Sequence, residues 1–223
     1  MEDIDRAIVE GLGRKLNPIL LAHGSCDAAH AEKVRELADK LAPLLGESVG
    51  IAFLDDECLP QGAKVLPMFL GEGQHVSKDV PELMAKTDCV WLPSLAAYAD
   101  EIAAMAVAHV RTHFNNTATI FVLYRMENFE ALKRGLDAKA SDFPKHAVAA
   151  LYGGDKAVLD VVQDWQQQGI TNIVVRPMLL FAGHSLSALQ TQVASIQGVQ
   201  MGSVLCNCEA FPAWIADCFR GEL

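Results

Sequence analysis

Two histidines stand at the ends of short apolar segments: Ile19-Leu20-Leu21-Ala22-His23-Gly24-Ser25, and Val65-Leu66-Pro67-Met68-Phe69-Leu70-Gly71-Glu72-Gly73-Gln74-His75 about fifty residues further on. Buried parallel strands open their carboxyl ends on one edge of a sheet, so the two imidazoles would face one another across a crevice. Neutral imidazole binds divalent transition metals, and two donors leave coordination positions open where a four-ligand set would close the site. The chemistry predicted for His23 and His75 is the transient handling of a divalent metal.

The elements that must position this pair follow from the pattern of apolar residues. Strands are predicted at Pro18–Ala22, Val49–Leu54, Lys64–Leu70, Cys89–Leu92, Ala118–Tyr124, Ala147–Tyr152, Asn172–Leu180 and Ser203–Cys206. Most are continuous apolar runs, as expected where both faces of a sheet are covered. Helical periodicity with a capping residue marks a helix after Asp27 through Leu44, one led by Asp100 to His113, one led by Asp155 over Val158–Gln168, and a last one from Glu209 containing Trp214 and Ile215. Alternation of this kind predicts an α/β fold with parallel sheets flanked by helices, doubly wound.

Composition narrows the class of function. At 223 residues with 51% hydrophobic and 21% charged residues the chain can bury a substantial core, which excludes disorder and fibre. The formal charge of -10, with no Lys/Arg cluster, argues against nucleic acid as a partner. Met1-Glu2-Asp3-Ile4-Asp5-Arg6 is acidic where a secretory signal would be basic, and no run reaches the roughly 18 apolar residues of a membrane span. A cytoplasmic protein with no membrane partner is expected. The six cysteines are too scattered for a disulfide framework, and free thiols are expected.

The chain also repeats itself. Gly62 to Leu70 followed by His75 is echoed by Gly169 to Leu180 followed by His184, sharing Pro-Met-apolar-Leu, and the same alignment puts Tyr124 in the place of His23. Asn115-Asn116-Thr117 divides the copies, giving lobes 1–116 and 117–223. The second copy keeps one histidine of the pair and loses the other.

His-Gly-Ser after the first strand, the helix of Ala31-Glu32-Lys33-Val34-Arg35-Glu36-Leu37-Ala38, Pro67-Met68-Phe69-Leu70 and Gly73-Gln74-His75-Val76-Ser77-Lys78-Asp79-Val80-Pro81 together closely resemble the sirohydrochlorin chelatases, the CbiX-like class II enzymes that insert cobalt or iron into a tetrapyrrole. The specific motifs lie in residues 18–81, and the duplication extends the likeness over most of the chain. The resemblance implies ATP-independent insertion of Co²⁺ or Fe²⁺, with Ni²⁺ compatible with the same donors, into sirohydrochlorin or a related ring. His23 and His75 are then the metal-holding residues. Neither a nucleotide nor a resident cofactor is implied, and the products would feed sirohaem or cobalamin synthesis.

Each insertion expels two pyrrole protons, so a base is required near the ring. Glu72, just before His75, is the candidate, with His75 as the second choice. Ser25, Gly71, Gly73, Lys78, Arg125 and His184 are the candidate substrate-binding residues, the cations being those that could meet the carboxylates of such a ring. Ser25 has no Gly-x-Ser-x-Gly elbow around it and fits a capping role beside Asp27. Arg176 falls at the wrong end of its strand, and Asp79 is read as supporting the first turn of the helix that follows. His30, His109, His113 and His146 read as surface or packing residues. Cys206, Cys208 and Cys218 fall short of the four thiolates an iron–sulfur cluster takes, so none is expected.

One departure stands out. Only Asp55 to Ala63 separate the second and third strands, whereas the second copy spends Gly153–Thr171, with a full helix, on the same step. The lower wall of the crevice would then be open, or this edge would be covered by the N-terminal helix or by another subunit, as in a homodimer. The alternative to an enzyme is a non-catalytic metal- or tetrapyrrole-binding paralogue that kept the ligands and lost the cavity.

Overall fold

The computed structural model describes residues 16–24, 28–56, 59–153 and 157–222. β1 (Pro18–Ala22) leads to α1 (Ala28–Leu45), β2 (Gly50–Phe53) and β3 (Lys64–Pro67). A single π-helical turn (His75–Asp79) then runs straight into the short α2 (Val80–Met84), followed by β4 (Val90–Trp91) and, after a 3-10 turn, by α3 (Ala99–His113). The second half contains β5 (Ala118–Leu123), α4 (Glu130–Lys139), β6 (His146–Ala150), α5 (Val158–Gln167), β7 (Ile173–Pro177), α6 (His184–Val193), β8 (Val199–Met201) and α7 (Ala210–Arg220).

These strands form two four-stranded sheets of identical order, β2-β1-β3-β4 and β6-β5-β7-β8, with every pairing parallel. The repeat seen in the sequence is thus a repeat of topology. β1 and β5, the central strands, are buried at every position, which is why they read as unbroken apolar runs. Fully burying a Leu or Ile of this kind is worth about 1.5–3 kcal/mol, so Leu20, Leu21, Ile120 and Leu123 alone hold their strands firmly in place.

One core joins both sheets. Leu20 and Leu66 of the first sheet and Phe121 and Val148 of the second pack with buried residues of α1, α3, α4 and α7 in a single cluster. The outer face of the second sheet is covered by Val158, Val162 and Trp165 of α5 together with Leu189 and Val193 of α6. On the first sheet no helix lies between β2 and β3 among the described residues. There Leu59 and Ala63 of the short connection, with Val80 and Leu83 of α2, pack on Ile19, Leu21 and Val65.

Several sequence expectations are corrected. The strand expected at Ser203–Cys206 is β8, four residues earlier, and Leu205–Asn207 is a 3-10 turn. The run was misplaced because Val204 and Leu205 are buried at the sheet edge without joining it, the N–H groups of Leu205 and Cys206 donating to Leu179 O and Leu180 O beyond the end of β7. β3 and β7 are shorter than expected because the chain leaves the sheet after Pro67 and Pro177 to form the rim. α4 and α6 were not expected. In α4, Gly135 reads as a helix breaker, yet its missing side chain is what lets α4 meet α3: a Cβ there would lie 3.0 Å from Ala103 Cβ. Asp100 sits inside the first turn of α3 instead of capping it, and Glu209 precedes α7 without a side-chain cap bond. The expected caps Asp27 and Asp155, with residues 1–15, lie outside the described residues.

Arg176 is fully buried in β7. Its Nη2 donates to Cys208 Sγ at 2.9 Å, and Nη1 reaches Ser203 Oγ at 3.4 Å. Ser203 Oγ in turn lies 3.3 Å from His109 Nε2, and His113 stacks on His109 with ring centroids 4.2 Å apart. Burial first, then Arg176 and His113, hold His109 down to about 4 from its ordinary 6.5. The unfolded chain therefore takes up a proton at His109 that the folded chain refuses between those values, so this contribution to stability is complete above pH 6.5 and is lost as pH falls toward 4. His109→Gln is expected to flatten the dependence of the urea unfolding midpoint on pH across that window, and an unchanged slope would show that another group carries it.

Candidate metal site and cavity

β1 ends at Ala22, and the parallel ladder continues one residue further on both sides, with Leu54 N–H donating to Ala22 O at 3.1 Å and Met68 N–H to Leu21 O at 2.8 Å. His23 leaves the sheet from between these two neighbours. After β3 the chain runs along the same rim through Phe69 and Gly71, and the π-turn starts at His75. The two imidazoles meet edge to face, with ring centroids 4.6 Å apart and planes at 72°. Phe69, itself buried, lies beneath His75 with centroids 5.8 Å apart. The juxtaposition expected from the strand ends is present in the structure.

Asp79 corrects a sequence expectation. Its side chain makes no cap bond to α2; it takes a hydrogen bond from His75 Nδ1 at 2.6 Å. Because the turn is π-helical, with the N–H of Val80 bonded to His75 O, residues 75 and 79 project side by side. An ionised carboxylate only accepts, so Nδ1 carries the proton and Nε2 keeps its lone pair free for a ligand. A carboxylate behind an imidazole is the arrangement that fixes ring orientation in metal-binding histidines.

Both imidazoles line two cavities. One, of about 480 Å³, is lined by His23, Gly24, His75, Asp55, Asp56, Asp79, Glu82 and Lys86, with four carboxylates against a single cation. The other, of about 730 Å³, lies between the halves and is walled mostly by apolar groups, among them Met68, Phe69, Leu70, Phe129, Met178, Leu180 and Phe181. That volume is typical of a small-molecule site. Its ionisable lining consists of His23, His30, His75, Arg125, Glu127 and His184, with Tyr124 beside them. Among the described residues no three His, Cys, Asp or Glu side chains stand at metal-ligand spacing, so the two histidines form a pair and not a closed cage.

The remaining sequence candidates separate clearly. Gly71, Gly73, Arg125 and His184 line the larger cavity. Glu72 and Lys78 are exposed and line neither cavity; in Glu72 it is the backbone that is engaged, donating to Asn128 O at 2.8 Å. Ser25 lies outside the described residues. Gly71 needs no left-handed backbone, yet a Cβ there would come within 2.7 Å of the Phe129 ring. Cys206 and Cys218 are buried thiols pushed up to about 12 by burial, and Cys208 is the partner of Arg176.

Sequence reading missed three features of the site. His30, which reads from sequence as a surface or packing residue, lines the larger cavity on α1 with its ring edge to face on Phe181 at 5.6 Å. Asp55 packs so tightly on Gly24 that a Cβ at residue 24 would lie 2.1 Å from Asp55 Oδ1. Asp56, whose carboxylate accepts from Phe53 N–H at 2.8 Å, stands beside it. The signal for both acids was available: they follow β2, which pairs in parallel with β1, and so fall on the same rim as His23. In the second half, Met178 N–H donates to Val122 O at 2.8 Å as Met68 does to Leu21 O, which places Tyr124 in the position of His23.

Two parallel sheets of one order, joined through a shared core and a cavity at the carboxyl ends of the strands, define a chelatase-like α/β architecture. Residues 17–120 match the family model described as CbiX, and the chain is CbiX-like in sequence over that segment and chelatase-like in fold over nearly its whole length. SirB from Bacillus subtilis with Fe³⁺ superimposes with a TM-score of 0.72 at 14% identity, covering 93% of this chain and 95% of that one. CbiX, described as the terminal enzyme for biosynthesis of siroheme in denitrifying bacteria, gives 0.65 at 16% identity over 93% of this chain and 99% of that one. The sirohydrochlorin chelatase SirB from Bacillus subtilis subspecies spizizenii in complex with cobalt gives 0.63 at 16% identity, covering 93% of each. No curated protein sequence matches the chain. No helix among the described residues is long and apolar enough to cross a membrane.

The hydrogen bond at Nδ1 makes a direct prediction. Long-range ¹H–¹⁵N spectra of the neutral imidazoles are expected to show His75 as the Nδ1–H tautomer, and Asp79→Asn to remove that preference; an Nε2–H ring in the wild type would contradict the geometry.

Proposed function

We propose that this protein is a sirohydrochlorin-type chelatase, inserting a divalent metal, Co²⁺ or Fe²⁺, into a tetrapyrrole without a nucleotide. The observation that carries the reading is the His23–His75 pair, with ring centroids 4.6 Å apart, lining both an acidic cavity and an apolar one. Cations are drawn toward a concave surface lined by one sign of charge, so the side of Asp55, Asp56, Asp79 and Glu82 is the side from which the metal approaches. The macrocycle occupies the larger cavity, facing the pair from the opposite side.

His23 and His75 hold the ion through neutral ring nitrogens. A soft thiolate set would favour retention, whereas imidazole of this kind exchanges its metal. Asp79 keeps His75 Nε2 directed at the ion and strengthens it as a donor. Proton removal passes from Glu72, which does not face the ring's cavity, to His75 backed by Asp79, which does. As the pyrrole nitrogens take the metal, the freed His75 imidazole accepts one of the two expelled protons, the other leaving to water, and the neighbouring carboxylate stabilises the resulting imidazolium. Arg125 is the one Lys or Arg lining this cavity among the described residues, and with His184 it meets the ring's carboxylates from the second half.

The purified protein, mixed with sirohydrochlorin and Co²⁺ or Fe²⁺, is expected to shift the absorption spectrum faster than the uncatalysed control. His23→Ala and His75→Ala are each expected to lower the enzymatic rate at least 100-fold, a loss of about 2.7 kcal/mol of transition-state stabilisation. Asp79→Asn is expected to lower metal affinity about 10- to 100-fold. A wild-type rate equal to the control would reject the enzyme, and retained metal affinity in the same preparation would identify a binding paralogue.

A further inference from the structure

The segment that carries His75 is seated on the other half of the molecule. Gly71 lies against Phe129, where an added Cβ would come 2.7 Å from Cζ. The Glu72 N–H donates to Asn128 O at 2.8 Å, and Gly73 faces Asn128 Nδ2 at van der Waals distance, 3.6 Å from where its Cβ would be. Val76 and Ser77 N–H both donate to Gly73 O at 3.0 Å, so the π-turn that presents His75 and Asp79 starts from a pinned residue. Asn128 itself is held at φ +66, in the left-handed region, and only it and Asn116 among described non-glycine residues have positive φ. A strained conformation of this kind persists where its surroundings over-determine it, and such positions cluster at functional sites.

We propose that Asn128 and Phe129 are positioning residues for His75, so that the second half sets the geometry of a metal pair lying wholly in the first. Residues 124–129 join β5 to α4, and Tyr124, Arg125, Asn128 and Phe129 line the same cavity as the pair. The copy that lost its own counterpart of His23 thus keeps a function, as the seat against which the surviving imidazole is aimed. A small displacement of this loop turns the His75 ring away from His23. The inference rests on reading His23 and His75 as a metal pair, and adds that the aim of His75 comes from across the cavity.

Co²⁺ titration, followed in the visible ligand-field bands, tests it on the full chain. In Gly71→Ala either Phe129 or the loop must move, and Co²⁺ affinity is expected to fall at least 10-fold with altered band positions. Phe129→Ala is expected to weaken binding several-fold. In the double variant the new methyl group enters the vacated space, and affinity and spectrum are expected to return toward the wild type, a recovery that general destabilisation would not produce. Phe129→Leu is a milder change of the same seat and decides the matter if Gly71→Ala is unfolded by circular dichroism. Single variants that fold and keep wild-type affinity and bands, while His75→Ala loses both, would overturn the positioning role alone. Absence of Co²⁺ binding by the wild type would instead overturn the metal reading beneath it.

Discussion

Parallel pairing of β1 with both β2 and β3 is the constraint on which the site depends. Because all three strands run the same way, whatever follows each of them emerges on one rim, and His23, Asp55 and the segment leading to His75 become neighbours there. The pairing is secured by burial of the central strand on both faces. A one-residue slip between β1 and β3 would move every side chain of one strand to the opposite face and part the two imidazoles.

Around that rim the charge is divided. The smaller cavity carries four carboxylates and Lys86, while the larger one carries Arg125, Glu127 and several imidazoles among apolar walls. The short link between β2 and β3 contributes to this division. Where the second half builds a crossover helix, the first places Asp55 and Asp56 directly at the sheet's edge and covers the face below with Leu59 and Ala63.

The duplication has been put to unequal use. Both halves keep the strand order and the bond from the methionine after β3 or β7 to the central strand. Tyr124 stands where the first half has His23 and packs on Tyr152 with ring centroids 5.2 Å apart, and Arg125 lies over the Tyr124 ring at 5.8 Å. The position equivalent to His23 is thus part of an aromatic and cationic wall.

Most of the architecture was legible in the chain: continuous apolar runs marked central strands, the repeat of Pro67-Met68 in Pro177-Met178 marked equivalent rims, and two strand-end histidines marked the pair. These are local patterns, set by the period of each element and the burial it requires, and a sequence carries them openly. The tertiary structure alone decided which side chains meet across breaks in the chain. It brought His30 to the cavity wall, set Asp55 against Gly24 and Phe129 against Gly71, left Glu72 outside, and turned Asp79 toward His75 through a π-turn that periodicity does not announce. Such contacts depend on packing distances between segments remote in sequence, and no local rule encodes a distance.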